Sequence, residues 1–148
     1  MPDKLPDEFE KIVYEHATLG RKAVESGNIE LAEQEFLKAW LAMPEPRTQW
    51  DMAQSITRGF IDFYLSNNNP LKAEKWLDNL SKAYGSPDDG SVAILTGIVH
   101  YELGQFDLAY ERFNFLFKQW KARPFQGEDK KYLEFYLKES ASRKKHTG

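Results

Sequence analysis

The sequence predicts an all-α protein, a stack of antiparallel helix pairs closed by one further helix. Three observations carry that prediction. A pattern of turn residue, small residue and large apolar residue occurs three times: Gly27, Ala32, Phe36; Asn68, Ala73, Leu77; and Gly104, Ala109, Phe113. A second amphipathic stretch precedes each copy: "FEKIVYEHATLGRKAVES", "WDMAQSITRGFIDFYLS" and "VAILTGIVHYEL". Proline-bearing breaks, "MPEP" (43–46) and "GSP" (85–87), separate the copies. Recurrence at 36 to 41 residues marks an array of helical repeats.

Each slot has a physical reason. Glycine and asparagine tolerate the left-handed backbone of a tight interhelical turn. Alanine belongs where two helices approach most closely, because a larger side chain there overpacks. The aromatic or leucine four residues on lies one turn along the same face. A single pair cannot bury its own apolar stripe, so stacking has to supply the core.

The expected units are 8–44, 47–86 and 88–122, with a closing helix at 128–141, in one domain spanning 1–148. Thr48 with Asp51, and Ser86 with Asp89, read as capping boxes opening the second and third units. Asn69-Pro70 reads as a cap with proline in the first turn. After Pro124 and Gly127, the stretch Glu128–Ser140 reads as one helix carrying Tyr132, Leu133, Tyr136 and Leu137 on a face.

Composition narrows the function. The chain of 148 residues has no cysteine, which removes disulfides, thiolate metal sites and a cysteine nucleophile. Its 20 basic and 23 acidic residues are interspersed and sum to −3, so no basic face for nucleic acid is expected. The start "MPDKLPDEFE" has no basic-then-apolar leader, and no apolar run reaches the roughly 18 residues of a membrane span. A cytosolic, soluble protein is expected.

Catalytic chemistry is not indicated. There is no HExxH, Gly-rich phosphate loop or acidic calcium loop, and no metal or cofactor is expected. His16 and His100 read as partly buried packing histidines. Asp88–Asp89 and Glu128–Asp129 fall at expected helix starts, where carboxylates cap free amides and favour the dipole. No nucleophile comes with a base and an orienting partner. Aromatic residues are 14% of the chain. Phe36 with Trp40, and Phe113, Phe117 and Trp120, follow helical spacing and read as core, while Phe115 and Trp50 fall off those stripes and read as exposed contacts. The tail "RKKH" (143–146) reads as a solvated basic end.

These residues resemble the tetratricopeptide repeat. Its pattern is leucine–glycine in the first helix, glycine in the turn, small–aromatic–alanine in the second helix, then proline. Leu19, Gly20, Gly27, Ala32, Phe36, Ala39 and Pro44 match all of it. The third unit matches at Gly97, Gly104, Ala109 and Phe113 but has Leu116 in the last alanine slot. The second departs at Ile61 and Leu80. Its spacing exceeds the family's 34 residues by about two helical turns, so its first helix is expected to be longer at the N-terminal end.

The resemblance implies an α-solenoid whose first helices line a concave groove. The groove positions it implies are Tyr14, Ala17, Arg21 and Val24 from the first unit, and Asp51, Gln54, Arg58, Asp62 and Leu65 from the second. From the third they are Ile94, Ile98, Tyr101 and Glu102. The implied function is non-catalytic binding of a protein or peptide, by a monomer or weak homodimer, with no nucleic-acid or membrane partner. The alternative is a structural, self-associating adaptor or scaffold. "MPEPRTQWD" (43–51) and "RPFQGEDKKYLEFY" (123–136) also resemble stretches of small bacterial tetratricopeptide proteins found beside polymorphic toxins. That narrower likeness implies a bacterial immunity protein that neutralises a toxin domain.

Overall fold

The structure, a computed structural model, describes residues 2–147; Met1 and Gly148, both inside the expected domain, lie outside the described residues. Every regular element among the described residues is helical: α1 (Asp7–Glu25), α2 (Ile29–Leu41), α3 (Met52–Ser66), α4 (Pro70–Glu74), α5 (Leu77–Tyr84), α6 (Gly90–Glu102), α7 (Phe106–Trp120) and α8 (Lys130–Thr147). Two 3₁₀ turns, Arg47–Gln49 and Arg123–Phe125, precede α3 and α8. No helix among the described residues is long and apolar enough to cross a membrane.

The three repeated turns are one structure built three times. Gly27, Asn68 and Gly104 all have positive φ, at 79°, 55° and 75°. The next residue's amide reaches back five positions in each: Asn28 to Ala23 O, Asn69 to Tyr64 O and Gln105 to His100 O, at 2.8, 2.8 and 2.9 Å. That is the Schellman closure of a helix, and it turns the chain back at once. Asn28 and Asn69 then cap α2 and α4, accepting from Leu31 N and Lys72 N. The small slots Ala32, Ala73 and Ala109 are fully buried. Gly20 faces the Phe36 ring and Gly97 the Phe113 ring so closely that a Cβ at either glycine would overlap the ring.

The middle pair departs from this pattern. Fully buried Ile61 stands where the other pairs have glycine. Its partner helix is broken between α4 and α5, and Trp76 at the break stacks on Phe60 at 3.9 Å, with Trp40 edge-on at 5.2 Å. Trp76 and Leu77 are both partly buried, and Trp76 makes the ring contacts at the break.

α3 is not lengthened, having 15 residues against 19 in α1. The extra residues form the connection around the 3₁₀ turn Arg47–Gln49, and this connection holds the N-terminus. Asp3 donates to Gln49 O and accepts from Asp51 N, and Leu5, fully buried, donates to Asp51 Oδ1. The caps are simpler than boxes. Asp51 itself accepts from Met52 N, and Asp89 from Ser91 N, while Thr48 lies in the 3₁₀ turn and Ser86 Oγ accepts from Asp88 N. Trp50 is a packing residue rather than an exposed contact, its Nε1 donating to Pro44 O at 2.7 Å. Phe115 likewise packs partly buried, under the Arg112 guanidinium. Trp120, expected in the core, is exposed.

α8 covers α6 and α7. Tyr132 and Tyr136 are buried, and their hydroxyls donate to Glu102 and Asn114. Phe135 joins them in the face, while Leu137 is exposed. The helix runs on through the basic tail: Arg143 donates to Glu139 and Asp107 and lies 3.9 Å over the Tyr110 ring, so that arginine is no mere solvated end.

Candidate functional site

α1 and α3 stand side by side with a groove between them. Tyr14, Ala17, Arg21 and Val24 recur at helical spacing on α1 and form one wall. Ser55, Ile56, Gly59, Asp62 and Ser66 form the other on α3. The floor is apolar: Val13, Phe36, Ala39, Phe60 and Phe63. Phe36, from α2, meets Phe63 and Phe60 edge-on at 5.3 and 6.3 Å, which fixes the floor's shape. The cavity measures about 640 Å³, within the range of preformed ligand sites. From Val13 to Glu25 it runs about 18 Å at the helical rise.

Gly59 is the telling residue in the α3 wall. It is exposed, mid-helix and helical in backbone, and a Cβ there would meet nothing within 4 Å. Nothing in the fold requires glycine, which in a helix interior costs about 1 kcal/mol relative to alanine. Its effect is to leave the wall bare where the groove is open.

Charge collects at one end. Arg21 donates to Thr18 Oγ1 at 3.2 Å. Glu25 and Asp62 line the cavity, and Arg58 stands one turn before Asp62. Glu128, in the loop before α8, is close enough to feel both Asp62 and Arg58. Burial pushes the Glu128 carboxyl above its ordinary range, and the Asp62 charge adds to that against the pull of Arg58. Asp62 is raised too, chiefly by desolvation, with Arg58 opposing. Asp62 keeps an open path to water, but it stands against a concave wall whose protein volume disfavours its charge.

The groove positions implied by the resemblance divide sharply. Tyr14, Ala17, Arg21, Val24 and Asp62 line the cavity, and Arg58 is exposed beside it. Asp51 is a cap that also holds Leu5 N, and Gln54 donates to Ala83 O, so both serve the fold. Leu65 packs against the core. Ile94 and Ile98 are core rather than groove, at 5% and 3% exposure. Tyr101 sits in an aromatic cluster with Phe106, Tyr132 and Phe135, and Glu102 is held by Tyr132 and Lys131. The reason was present in "VAILTGIV": a helix apolar on every side is buried, and α4, α5, α7 and the 3₁₀ turn Arg123–Phe125 pack around it.

Gly59, Ile56 and Phe63 were not anticipated as groove residues, nor Glu128 as a neighbour of Asp62. Gly59 had a readable signal, an isolated glycine inside a helical pattern and out of register with the repeat. Glu128 was expected to cap, but Asp129 does so, accepting from Lys131 N at 2.9 Å. Phe36 counted only as core, yet it is partly buried and floors the groove.

Elsewhere several polar groups are engaged, while Arg47 Nε is buried without a hydrogen-bond partner. Glu35 accepts from Lys38 and is hydrogen-bonded to His16 Nδ1 at 2.7 Å, and His100 Nδ1 is bonded to Gln105. A second depression, between the Arg47 turn and α5, is walled by Trp40, Thr48 and Asn79. Its cations are already paired, Arg47 with Glu45 and Lys82 with Asp78. No group of three or more acidic or histidine side chains among the described residues is placed to hold a metal. What the α1–α3 groove can do is hold an apolar segment and orient it by charge. Comparison of the chain with family models, curated proteins and solved structures gave no match.

Proposed function

We propose that this chain is a non-catalytic protein-binding module, a tetratricopeptide-type solenoid of three antiparallel helix pairs and a capping helix, working in the cytosol. The groove between α1 and α3 takes a segment of a partner protein. The single observation behind this reading is the open, apolar-floored cavity whose wall is kept bare by a glycine the fold does not need. The repeated turn and the buried alanine slots support the solenoid.

Within this reading, neutralisation of a bacterial toxin domain is the narrower proposal. It is supported by the likeness of 43–51 and 123–136 to immunity-associated proteins. The second of those stretches delivers Glu128 to the charged end of the groove. A self-associating scaffold is the competing reading, favoured by the exposed Ile12, Leu19 and Leu31 on α1 and α2.

Affinity capture from cells of the species of origin tests the proposal. Wild type is compared with Gly59→Trp, which fills the groove, and with Leu71→Glu, which alters an exposed residue outside it. Both variants are first checked for folding by circular dichroism. A partner kept by wild type and Leu71→Glu but lost by Gly59→Trp supports groove binding. Equal capture by all three overturns it, and a concentration-dependent dimer with no partner turns the reading to the scaffold.

A further inference from the structure

We propose that the groove is selective for a basic amphipathic segment, one that lays apolar side chains on the floor between α1 and α3 and presents an arginine or lysine to Asp62 and Glu128. This deepens the function proposed above and rests on it.

Charge complementarity carries the inference. Arg21, Glu25 and Asp62 line the groove, and Arg58 and Glu128 stand within electrostatic reach of Asp62. Two cations face three carboxylates, which leaves one negative charge uncompensated. None of the five takes part in an ion pair within 4 Å among the described residues. Arg58 and Asp62, one turn apart, are in the register that usually pairs on a helix, yet they stay apart. α1 and α3 also both end here, at Glu25 and Ser66. The negative ends of both helix dipoles therefore point here, softened by the turn amides that cap them.

Asp62 and Glu128 are also the carboxylates that the protein holds above their ordinary range, by desolvation first. Partly desolvated carboxylates with no cation within 4 Å cost free energy that a docked guanidinium or ammonium would recover. An anionic segment would add to that cost and is rejected by the same charges.

The dimensions set the size of the segment. An 18 Å run accepts about three helical turns or about five extended residues. The floor of Val13, Phe36, Ala39, Phe60 and Phe63 offers nothing polar at the side-chain level, so the segment's buried face must be apolar.

The test is a library of random twelve-residue peptides displayed on phage, panned on wild type and counter-selected on Gly59→Trp. The expected survivors carry arginine or lysine above the library frequency, beside leucine, isoleucine, phenylalanine or methionine. Synthetic versions should bind about tenfold more weakly to an Asp62→Asn, Glu128→Gln double variant. That variant should melt no lower than wild type, because each substitution removes a charge the fold holds at a cost. Groove-dependent peptides with no basic bias overturn the selectivity and leave the binding function standing. Basic peptides indifferent to the double variant overturn the roles of Asp62 and Glu128. Peptides that bind Gly59→Trp as well as wild type, or no enrichment at all, overturn the groove itself. A wild-type dimer abolished by Gly59→Trp replaces the proposed partner with a second copy of this chain.

Discussion

Three helical glycines differ sharply in what surrounds them at the level of single residues. Gly20 and Gly97 lie under the Phe36 and Phe113 rings, where an added methyl has no room. Gly59 lies on an exposed wall with open space around it. Alanine at Gly20 or Gly97 is therefore expected to destabilise by about 1–3 kcal/mol through overpacking, partly offset by helix propensity. Alanine at Gly59 should instead stabilise by about 0.5–1 kcal/mol. Urea denaturation of the three variants checks the sign of each change. A loss of stability in Gly59→Ala would mean that this glycine serves the fold, and the argument that it keeps the groove open would fail. The contrast was half legible beforehand. Gly20 and Gly97 fall in matching positions of the repeat, though their contact with the rings needed the structure, whereas Gly59 follows no register and its surroundings needed the cavity beside it.

At the level of elements, one polar device occurs twice, once between successive pairs and once between the last pair and α8. Glu33 on α2 accepts from Tyr64 Oη of α3 at 2.6 Å and from Lys72 Nζ of α4 at 2.9 Å. Glu102 on α6 accepts from Tyr132 Oη at 2.8 Å and pairs with Lys131 Nζ at 2.7 Å, both on α8. In each case the lysine also sits near the tyrosine ring, at 5.7 and 5.3 Å. The Tyr64 hydroxyl, then Lys72, holds Glu33 below the ordinary carboxylate range. For Glu102 burial works the other way, but the hydrogen bonds from Lys131 and Tyr132 win and its pKa is also lowered. A carboxylate with a lowered pKa in the fold contributes stability present above its unfolded value, about 4.3 for glutamate, and lost as pH falls through the folded value. Glu33→Gln and Glu102→Gln should each be less stable than wild type at pH 7, by about 1 kcal/mol given the partial exposure. The gap to wild type should close as pH falls below about 4. Chemical denaturation at pH 7 and pH 3.5 measures it, and a gap independent of pH would remove the ionic contribution. None of this was visible in the repeat pattern, because Glu33, Tyr64 and Lys72 meet only once two pairs are stacked. The turns at Gly27, Asn68 and Gly104 were visible because they are local, a matter of one residue's φ.

Across the whole molecule, contacts run mainly between neighbouring elements, α1 with α2, α3 with α4 and α5, and α6 with α7. Stability in such a stack is close to a sum of unit and interface contributions. The first and last units were readable because each helix folds onto the next in sequence. The third unit's outer face was not: Ile94 and Ile98, expected in a groove wall, are core. The 3₁₀ turn Arg123–Phe125, α4 and α5 pack against α6, while α8 closes its C-terminal end at Tyr101 and Glu102. α8 thus closes the C-terminal half. Tyr136 is its centre: the ring is buried, 5.0 Å from Phe117 and 5.4 Å from Tyr110, and its hydroxyl donates to Asn114 at 2.7 Å. Tyr136→Phe removes only the hydrogen bond and is expected to cost about 1 kcal/mol. Tyr136→Ala removes the ring as well and should cost about 3–5 kcal/mol. If interfaces act locally, amide exchange in Tyr136→Ala will quicken across α6, α7 and α8 while α1 and α2 keep their protection. Exchange that quickens equally from α1 to α8 would instead show that the whole array opens as one unit. In that event the cap at one end would also control the groove at the other, through stability alone and without any contact with it.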